Sequence, residues 1–409
     1  MISYKSKAIS VIGLGYIGLP TAALLASERY KVNGMDIDQN TVDTINRGQA
    51  HIVEPDLDAY VRSAVSTGFL TASTKVVPAD VYMICVPTPF YGGAGIPRPN
   101  IDFVRAASKS IAPHVKDGDI VILESTSPVG TTELVAEVLA DNGVDIEKLF
   151  IAYCPERVLP GRIMVELVQN DRVIGGINRQ STQVVADFYR AFVKGVILET
   201  DSKTAEMCKL TENSFRDVNI AFANELSMIC DKNGVDVWEL IDLANHHPRV
   251  SVLQPGTGVG GHCIAVDPWF IAASDPENSR LIQQARIVND LKPHWIVKKL
   301  VDVAKSTGLS QPKIACLGLA FKPDIDDLRE SPALQVAASL IDMGFDVVCV
   351  EPNITSHEFF KLTNFESALQ ESDIVTILVA HKEFKTESAI TKLGEQLTVD
   401  CCGIIRSAS

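Results

Sequence analysis

A strand, three spaced glycines and a helix follow one another directly near the start of the chain. Ala8-Ile-Ser-Val-Ile12 is a short apolar run of β character, Gly13-Leu-Gly15-Tyr16-Ile17-Gly18 follows it, and Leu19-Pro-Thr-Ala-Ala-Leu-Leu-Ala26 reads as a helix. The glycine spacing alone is a weak signal. Between a strand and a helix it describes a dinucleotide-binding βαβ turn, in which the first glycine makes the turn, the second admits a pyrophosphate and the third lets helix and strand pack. The next strand, Lys31–Met35, ends at Asp36, where such a turn places the acid that takes the adenosine ribose hydroxyls. No arginine stands in Ile37-Asp38-Gln39-Asn40, so a 2′-phosphate would meet only negative charge. The cofactor reading is therefore NAD rather than NADP, held by Gly13, Gly15, Tyr16, Ile17, Gly18 and Asp36.

The alternation continues through Val81–Val86, Asp119–Leu123 and Leu149–Tyr153, and Asp171–Gly176 reads as the last strand of this unit. Thr88 and Thr126 follow two of these strands at their carboxyl ends, where open α/β sheets bind ligands. They either line the nicotinamide pocket or serve as ordinary turn and helix-cap residues. Residues 37–58 and 90–100 read as loops. From Ser202 to about Lys232 the chain has neither proline nor glycine and keeps helical apolar spacing, which predicts one long helix, a spine or a dimer seam. Lys209, Asn213 and Arg216 fall on one face of it. A shorter helix covers 236–247 and ends at His246-His247-Pro-Arg249; without further ligand spacing the histidines read as helix-end or substrate residues, and no metal is expected. Glu277 to about Lys305 reads as a helix interrupted near Pro293. A second α/β pattern then begins at Lys313–Gly318, with Ser331-Pro332 opening a helix and Asp346–Val350 and Ile374–Val379 as strands. It has no glycine fingerprint, which suits a different nucleotide, and Lys322 and Arg329 lie at the carboxyl side of its first strand. The fold expected is α/β: two Rossmann-like doubly wound domains joined by a long central helix and a helical middle region, divided at 1–200, 201–306 and 307–409.

Composition narrows the function. The net charge is −14, from 37 basic and 51 acidic residues, with no basic block, which argues against nucleic acid or an anionic membrane as partner. Nine cysteines are scattered without a C-x-x-C pair, against both a zinc site and a disulfide framework. With no leader and no bilayer-length apolar run, the expectation is a reduced, cytoplasmic protein.

Gln254-Pro-Gly256-Thr-Gly258-Val-Gly260-Gly261-His-Cys263-Ile-Ala-Val-Asp267 carries the remaining chemistry. Four glycines ahead of a cysteine suit a loop that wraps an anion or sugar and presents a thiol, or else a tight turn before a buried cysteine. An alcohol dehydrogenase needs only a base and a hydride acceptor. A nucleophilic cysteine is needed when the aldehyde must be oxidised onward through a thiohemiacetal to a thioester, so NAD together with such a thiol implies a four-electron oxidation.

Together, the Cys263 loop, Lys209 with Asn213, Glu124-Ser-Thr-Ser-Pro-Val-Gly130 and Gly318-Leu-Ala-Phe-Lys-Pro323 resemble the UDP-glucose/GDP-mannose dehydrogenase family over essentially the full length. Ile52-Val-Glu-Pro55, Cys154-Pro-Glu-Arg-Val-Leu-Pro-Gly161, His247-Pro-Arg249 and Gly260–Trp269 resemble its branch acting on N-acetylated UDP-hexosamines. Pro160 stands where glucose-oxidising relatives carry a second glutamate, which sets glucose aside. The resemblance implies oxidation of UDP-N-acetyl-D-mannosamine at C6 to the uronate by two NAD, in a homodimer. It implies Cys263 as nucleophile, Lys209 as acid/base and oxyanion stabiliser, Asn213 as oxyanion partner, and Asp267 to orient Lys209 or activate water. Glu156 is the implied base for thioester hydrolysis, with Thr126 placing water. Arg157, Val158, Arg216, His247, Arg249, Gly260 and Lys322, with Lys209 and Asn213, are implied substrate contacts; in the family an arginine at the position of Arg249 can come from the neighbouring subunit, and Arg329 is the implied contact to the NAD pyrophosphate. Two other readings stay open: the same oxidation of UDP-N-acetyl-D-glucosamine, and a non-catalytic sensor of NAD and nucleotide sugar. A sensor would dispense with Cys263, Lys209, Asn213 or Asp267, and all four are present.

Overall fold

The apolar runs of the first half become the strands of one sheet. A computed structural model describes residues 7–91, 95–261 and 264–405, in two units that divide between Glu212 and Asn213. The first unit holds β1 (Ala8–Ile12), β2 (Lys31–Met35), β3 (Leu70–Ser73), β4 (Val81–Ile84), the small hairpin β5 (Phe90–Tyr91) and β6 (Arg98–Pro99), then β7 (Ile120–Leu123), β8 (Phe150–Tyr153), β9 (Arg172–Gly176) and β10 (Ile197–Asp201). Its eight-stranded sheet runs β3-β2-β1-β4-β7-β8-β9-β10. The order reverses between β1 and β4, which opens a crevice at the carboxyl ends of those two strands. β4 and β7 are buried at every position, as strands covered by helices on both faces must be.

Three expectations need correction. Asp171–Gly176 is not the last strand: β9 runs antiparallel to β8, and β10 adds an edge beyond it. β10 exposes Leu198, Glu199 and Asp201, and its short apolar run Val196-Ile197-Leu198 breaks off at Glu199. Residues 37–58 hold the helix Gln39–Asn46, capped by Asp38 through the Asn40 and Thr41 amides, and the start of Leu57–Ser66. Only Val42 and Ile45 of the first helix are buried, too short a stripe to show a period. Finally, the helix Arg280–Ser306 passes through Pro293 unbroken. A proline inside a helix costs about 3 kcal/mol; here Val288, Ile296, Val297 and Leu300 bury that stretch, and Asn289 is bonded to Asp217 and Asn224.

The central helix spans Ser202–Asn233, 32 residues. Phe215 and Phe222 stand on it seven residues apart and 66% and 53% exposed, with Ile229 exposed a further seven along. The second unit carries a parallel sheet of β11 (Lys313–Leu317), β12 (Asp346–Val350), β13 (Ile374–Ile377) and β14 (Thr398–Asp400), in the order β12-β11-β13-β14. Ser331 caps the helix Pro332–Asp342 by accepting the Leu334 amide, as its Ser-Pro start predicts. Among the described residues no helix is long and apolar enough to cross a membrane.

Candidate active site

The turn after β1 is built as its glycines require. Gly13 has φ +91°, and a Cβ there would stand 2.7 Å from the Cys85 carbonyl oxygen; one on Gly18 would stand 1.8 Å from the Gly13 carbonyl oxygen. Gly15 has nothing within 4 Å of its Cβ position, so the middle glycine faces open space where a pyrophosphate can approach the backbone. Asp36 anchors the turn by accepting the Leu14 amide at 2.9 Å and the Asp38 amide at 3.0 Å. Tyr16 and Ile17 lead from there into the helix Gly18–Ser27, whose first amides receive no side-chain cap. Open backbone donors, an acid at the end of β2 and no arginine in the four residues after it fit NAD, which supplies a hydride acceptor when bound. Thr88 and Thr126 meet at the ends of β4 and β7, where the Thr88 hydroxyl donates to the Thr126 carbonyl at 2.5 Å.

Beneath these strand ends lies a buried polar network. The Cys85 thiol donates to Glu124 at 3.2 Å, the Tyr189 hydroxyl donates to the other Glu124 oxygen at 2.6 Å, and Glu156 pairs with Arg172 at 2.8 Å. Burial, then the nearby Glu156 charge, pushes the Glu124 carboxyl up. Glu156 also accepts the Arg157 amide at 2.7 Å, so the implied hydrolytic base is a buried, already oriented carboxylate. Burial drives the Cys154 thiol up to about 12 and Cys401 to about 11, and raises Cys85, Cys208 and Cys402 as well. None of these thiols is poised as a thiolate. Cys263, the implied nucleophile, lies outside the described residues.

The central helix carries the next implied residues. Lys209 is only 8% exposed, and its side-chain nitrogen has no ion-pair or hydrogen-bond partner among the described residues. A buried amine left without a partner is costly in a structural role and useful in a ligand site. One helical turn on, the Asn213 amide donates to Asp267 at 2.5 Å, with both side chains buried. Asp267 opens the helix Asp267–Ser274, where the helix dipole favours a negative charge. The glycines before it serve a purpose the sequence did not show. A Cβ on Gly260 would stand 2.3 Å from the Glu330 carbonyl oxygen, and one on Gly261, at φ +83°, 2.7 Å from the Phe321 ring. The loop is therefore glycine-rich in large part so that it can lie against Phe321, the neighbour of Lys322.

Arg157 forks onto Glu212, at 2.6 and 3.1 Å, and donates to the Asp171 carbonyl, while Val158 packs half-buried on the core. Sequence reasoning assigned no role to Glu54, which accepts the Gly161 and Ile163 amides at 2.8 Å each and so fixes the far end of the Arg157–Gly161 segment. Its separation of more than a hundred residues leaves no local signal, although Ile52-Val-Glu-Pro55 stood out as a motif. His247 ends the helix Val237–Asn245, its Nδ1 accepting the Arg249 amide at 3.3 Å. Arg249 lines an apolar groove with Phe215, Phe222, Val250 and Leu281, and Arg216 is exposed on the central helix. Arg329 forks onto Asp327, at 2.6 and 2.8 Å, in the second unit.

Family models match along the chain: the NAD-binding domain of the UDP-glucose/GDP-mannose dehydrogenase family over residues 7–193, its central domain over 203–291 and its UDP-binding domain over 315–407. A UDP-N-acetyl-D-mannosamine dehydrogenase of Yersinia pestis is 53% identical, covering 98% of this chain and 99% of the relative. An NDP-N-acetyl-D-galactosaminuronic acid dehydrogenase of Ralstonia solanacearum is 51% identical over 98% of this chain and 97% of the relative. Among solved structures, the UDP-D-ManNAc dehydrogenase of Pyrococcus horikoshii superposes with a TM-score of 0.90 at 38% identity, covering 98% of this chain and 96% of that one. With the matched models spanning most of its length and its dinucleotide turn shaped for NAD, the chain belongs to the UDP-glucose/GDP-mannose dehydrogenase family and is an NAD-dependent oxidoreductase.

Proposed function

We propose that the protein oxidises the C6 alcohol of UDP-N-acetyl-D-mannosamine to UDP-N-acetyl-D-mannosaminuronate. The observation that carries this reading is the buried Lys209, without a partner among the described residues, on the same helix as Asn213, which pairs with Asp267, in a chain 53% identical to a dehydrogenase named for that sugar. Lys209, acting as the neutral amine, takes the alcohol proton as the first hydride leaves C6, giving the aldehyde and a protonated Lys209. The Cys263 thiol adds to the aldehyde, and Lys209 and Asn213 hold the developing oxyanion. Loss of a second hydride from the thiohemiacetal leaves a thioester. Water, placed by Thr126 and deprotonated by Glu156, releases the carboxylate and the free thiol; Asp267 holds Asn213 throughout. Two hydrides account for four electrons and two NAD.

In the same reading Arg157, Val158, Arg216, His247, Gly260 and Lys322 contact the nucleotide sugar, and Arg329 the NAD pyrophosphate. The chain divides into NAD-binding, central and UDP-sugar-binding domains at 1–200, 201–306 and 307–409. A second copy covers the groove of Phe215, Phe222, Val250 and Leu281. The seven-residue spacing of exposed apolar side chains along the central helix supports a helical seam, and Arg249 at that groove is then placed to serve a neighbour's site. The free cysteines suit a reducing cytoplasm.

The test is NADH formation with UDP-N-acetyl-D-mannosamine beside its glucosamine and galactosamine isomers. The mannosamine sugar is expected to react best. Preference for the glucosamine epimer moves the assignment there, preference for galactosamine toward the Ralstonia relative, and no NADH with any of them supports a sensor.

A further inference from the structure

The second sheet repeats the hydrogen-bond scheme of the first turn. Gly318, at φ +86°, donates to the Val350 carbonyl at 2.8 Å, as Gly13 does to Met35, and the Leu319 amide donates to Glu351 at 2.7 Å, as Leu14 does to Asp36. The acid is used differently. The Glu351 side chain is fully buried, with one oxygen taken by the Leu319 and Ala320 amides and by His381 Nε2 at 3.0 Å, the other by the Asn353 amide and side chain. It has no place left for a ribose hydroxyl.

His381 is also fully buried, and its Nδ1 accepts the Asp324 amide at 2.9 Å. A backbone N–H can only donate, so Nδ1 is the acceptor and the proton sits on Nε2, facing Glu351. Asp324 holds the left-handed φ of +62°, and its carboxylate accepts the Lys382 amide at 2.9 Å. The residue that follows Lys322-Pro323 is thus pinned on both sides. Three residues before His381, the Leu378 carbonyl accepts the Thr257 hydroxyl at 2.5 Å, and Gly260 and Gly261 lie against Phe321.

We infer that His381 is a positioning residue for nucleotide-sugar binding: its ring, accepting at Nδ1 and facing Glu351 through Nε2, fixes the turn that presents Phe321 and Lys322, and through Phe321 the glycine loop ahead of Cys263. The inference rests on the proposed substrate reading. His381→Gln keeps a donor toward Glu351 and loses the Nδ1 acceptor; His381→Asn keeps an acceptor near Nδ1 and loses that donor. The Gln variant is expected to raise KM for UDP-N-acetyl-D-mannosamine, and Ki for UDP as competitive inhibitor, ~10-fold. KM for NAD should stay within about twofold, and the Asn variant should recover part of the loss. Unchanged KM for the sugar in both folded variants, or equal rises in both KM values, overturns the proposal. Should the variants not fold, ¹⁵N spectra of the wild-type protein decide: UDP is expected to slow solvent exchange of the His381 Nε2–H, and no change in the ring signals on UDP binding overturns it. If the wild type turns over no UDP-N-acetylhexosamine, the substrate reading fails by itself, and His381 is judged on UDP affinity by calorimetry, where the same ~10-fold loss is expected.

Discussion

Glu156 and Arg172 form an ion pair at 2.8 Å with both side chains almost wholly buried. Removing either partner strands the other's charge in the core, which typically costs about 3–5 kcal/mol. Glu156→Gln and Arg172→Met are each expected to lower unfolding free energy by about that much in urea, and the double variant to recover a large part. Additive losses would show that the pair is not coupled. Activity lost by Glu156 variants has to be measured where the protein is still folded.

Asn213 is held by Asp267 and assigned to the oxyanion. Losing one such donor costs about 10²–10³ in kcat, so Asn213→Ala should fall by that factor with KM for the sugar little changed. Asp267→Asn, which keeps size but loses the charge that orients Asn213, should fall in the same direction. A change confined to KM would reassign the pair to ground-state binding.

Glu351 is held at about 2 against an ordinary 4.5: burial opposes its ionisation, and His381 with the backbone amides of Leu319 and Asn353 overcomes it. A depressed folded pKa gives stability that is complete above about 4.5 and lost as pH falls toward about 2. After allowance for solvent screening, the shift corresponds to at most about 3 kcal/mol. Glu351→Gln should flatten that part of the acid-unfolding curve, followed by circular dichroism; an unaltered slope would contradict the assignment.

Gly261 at φ +83° faces the Phe321 ring. Gly261→Ala should cost ~1–3 kcal/mol from strain and overpacking, and activity should fall with it. Pairing it with Phe321→Leu should return part of the stability if the ring is the obstacle.

The dinucleotide turn was legible because its signals are local: Gly13, Gly18 and Asp36 each meet a backbone partner within one βαβ unit. Lys209 and Asn213 were legible as one helical face, and the Ser331 cap as a two-residue signature. Other features depend on contacts that no short window contains. Gly260 and Gly261 read as anion-wrapping residues, yet their need for glycine comes from Phe321 and Glu330. Glu54 and His381 act on segments far away in sequence, and β10 is an exposed edge whose short run Val196-Ile197-Leu198 breaks off at Glu199.

The most direct test of the four-electron chemistry is the yield of NADH per UDP-N-acetyl-D-mannosamine, with the sugar limiting and NAD in excess. Two NADH per sugar, with the uronate as product, is the expected result. One NADH with the aldehyde released would contradict the covalent route through Cys263.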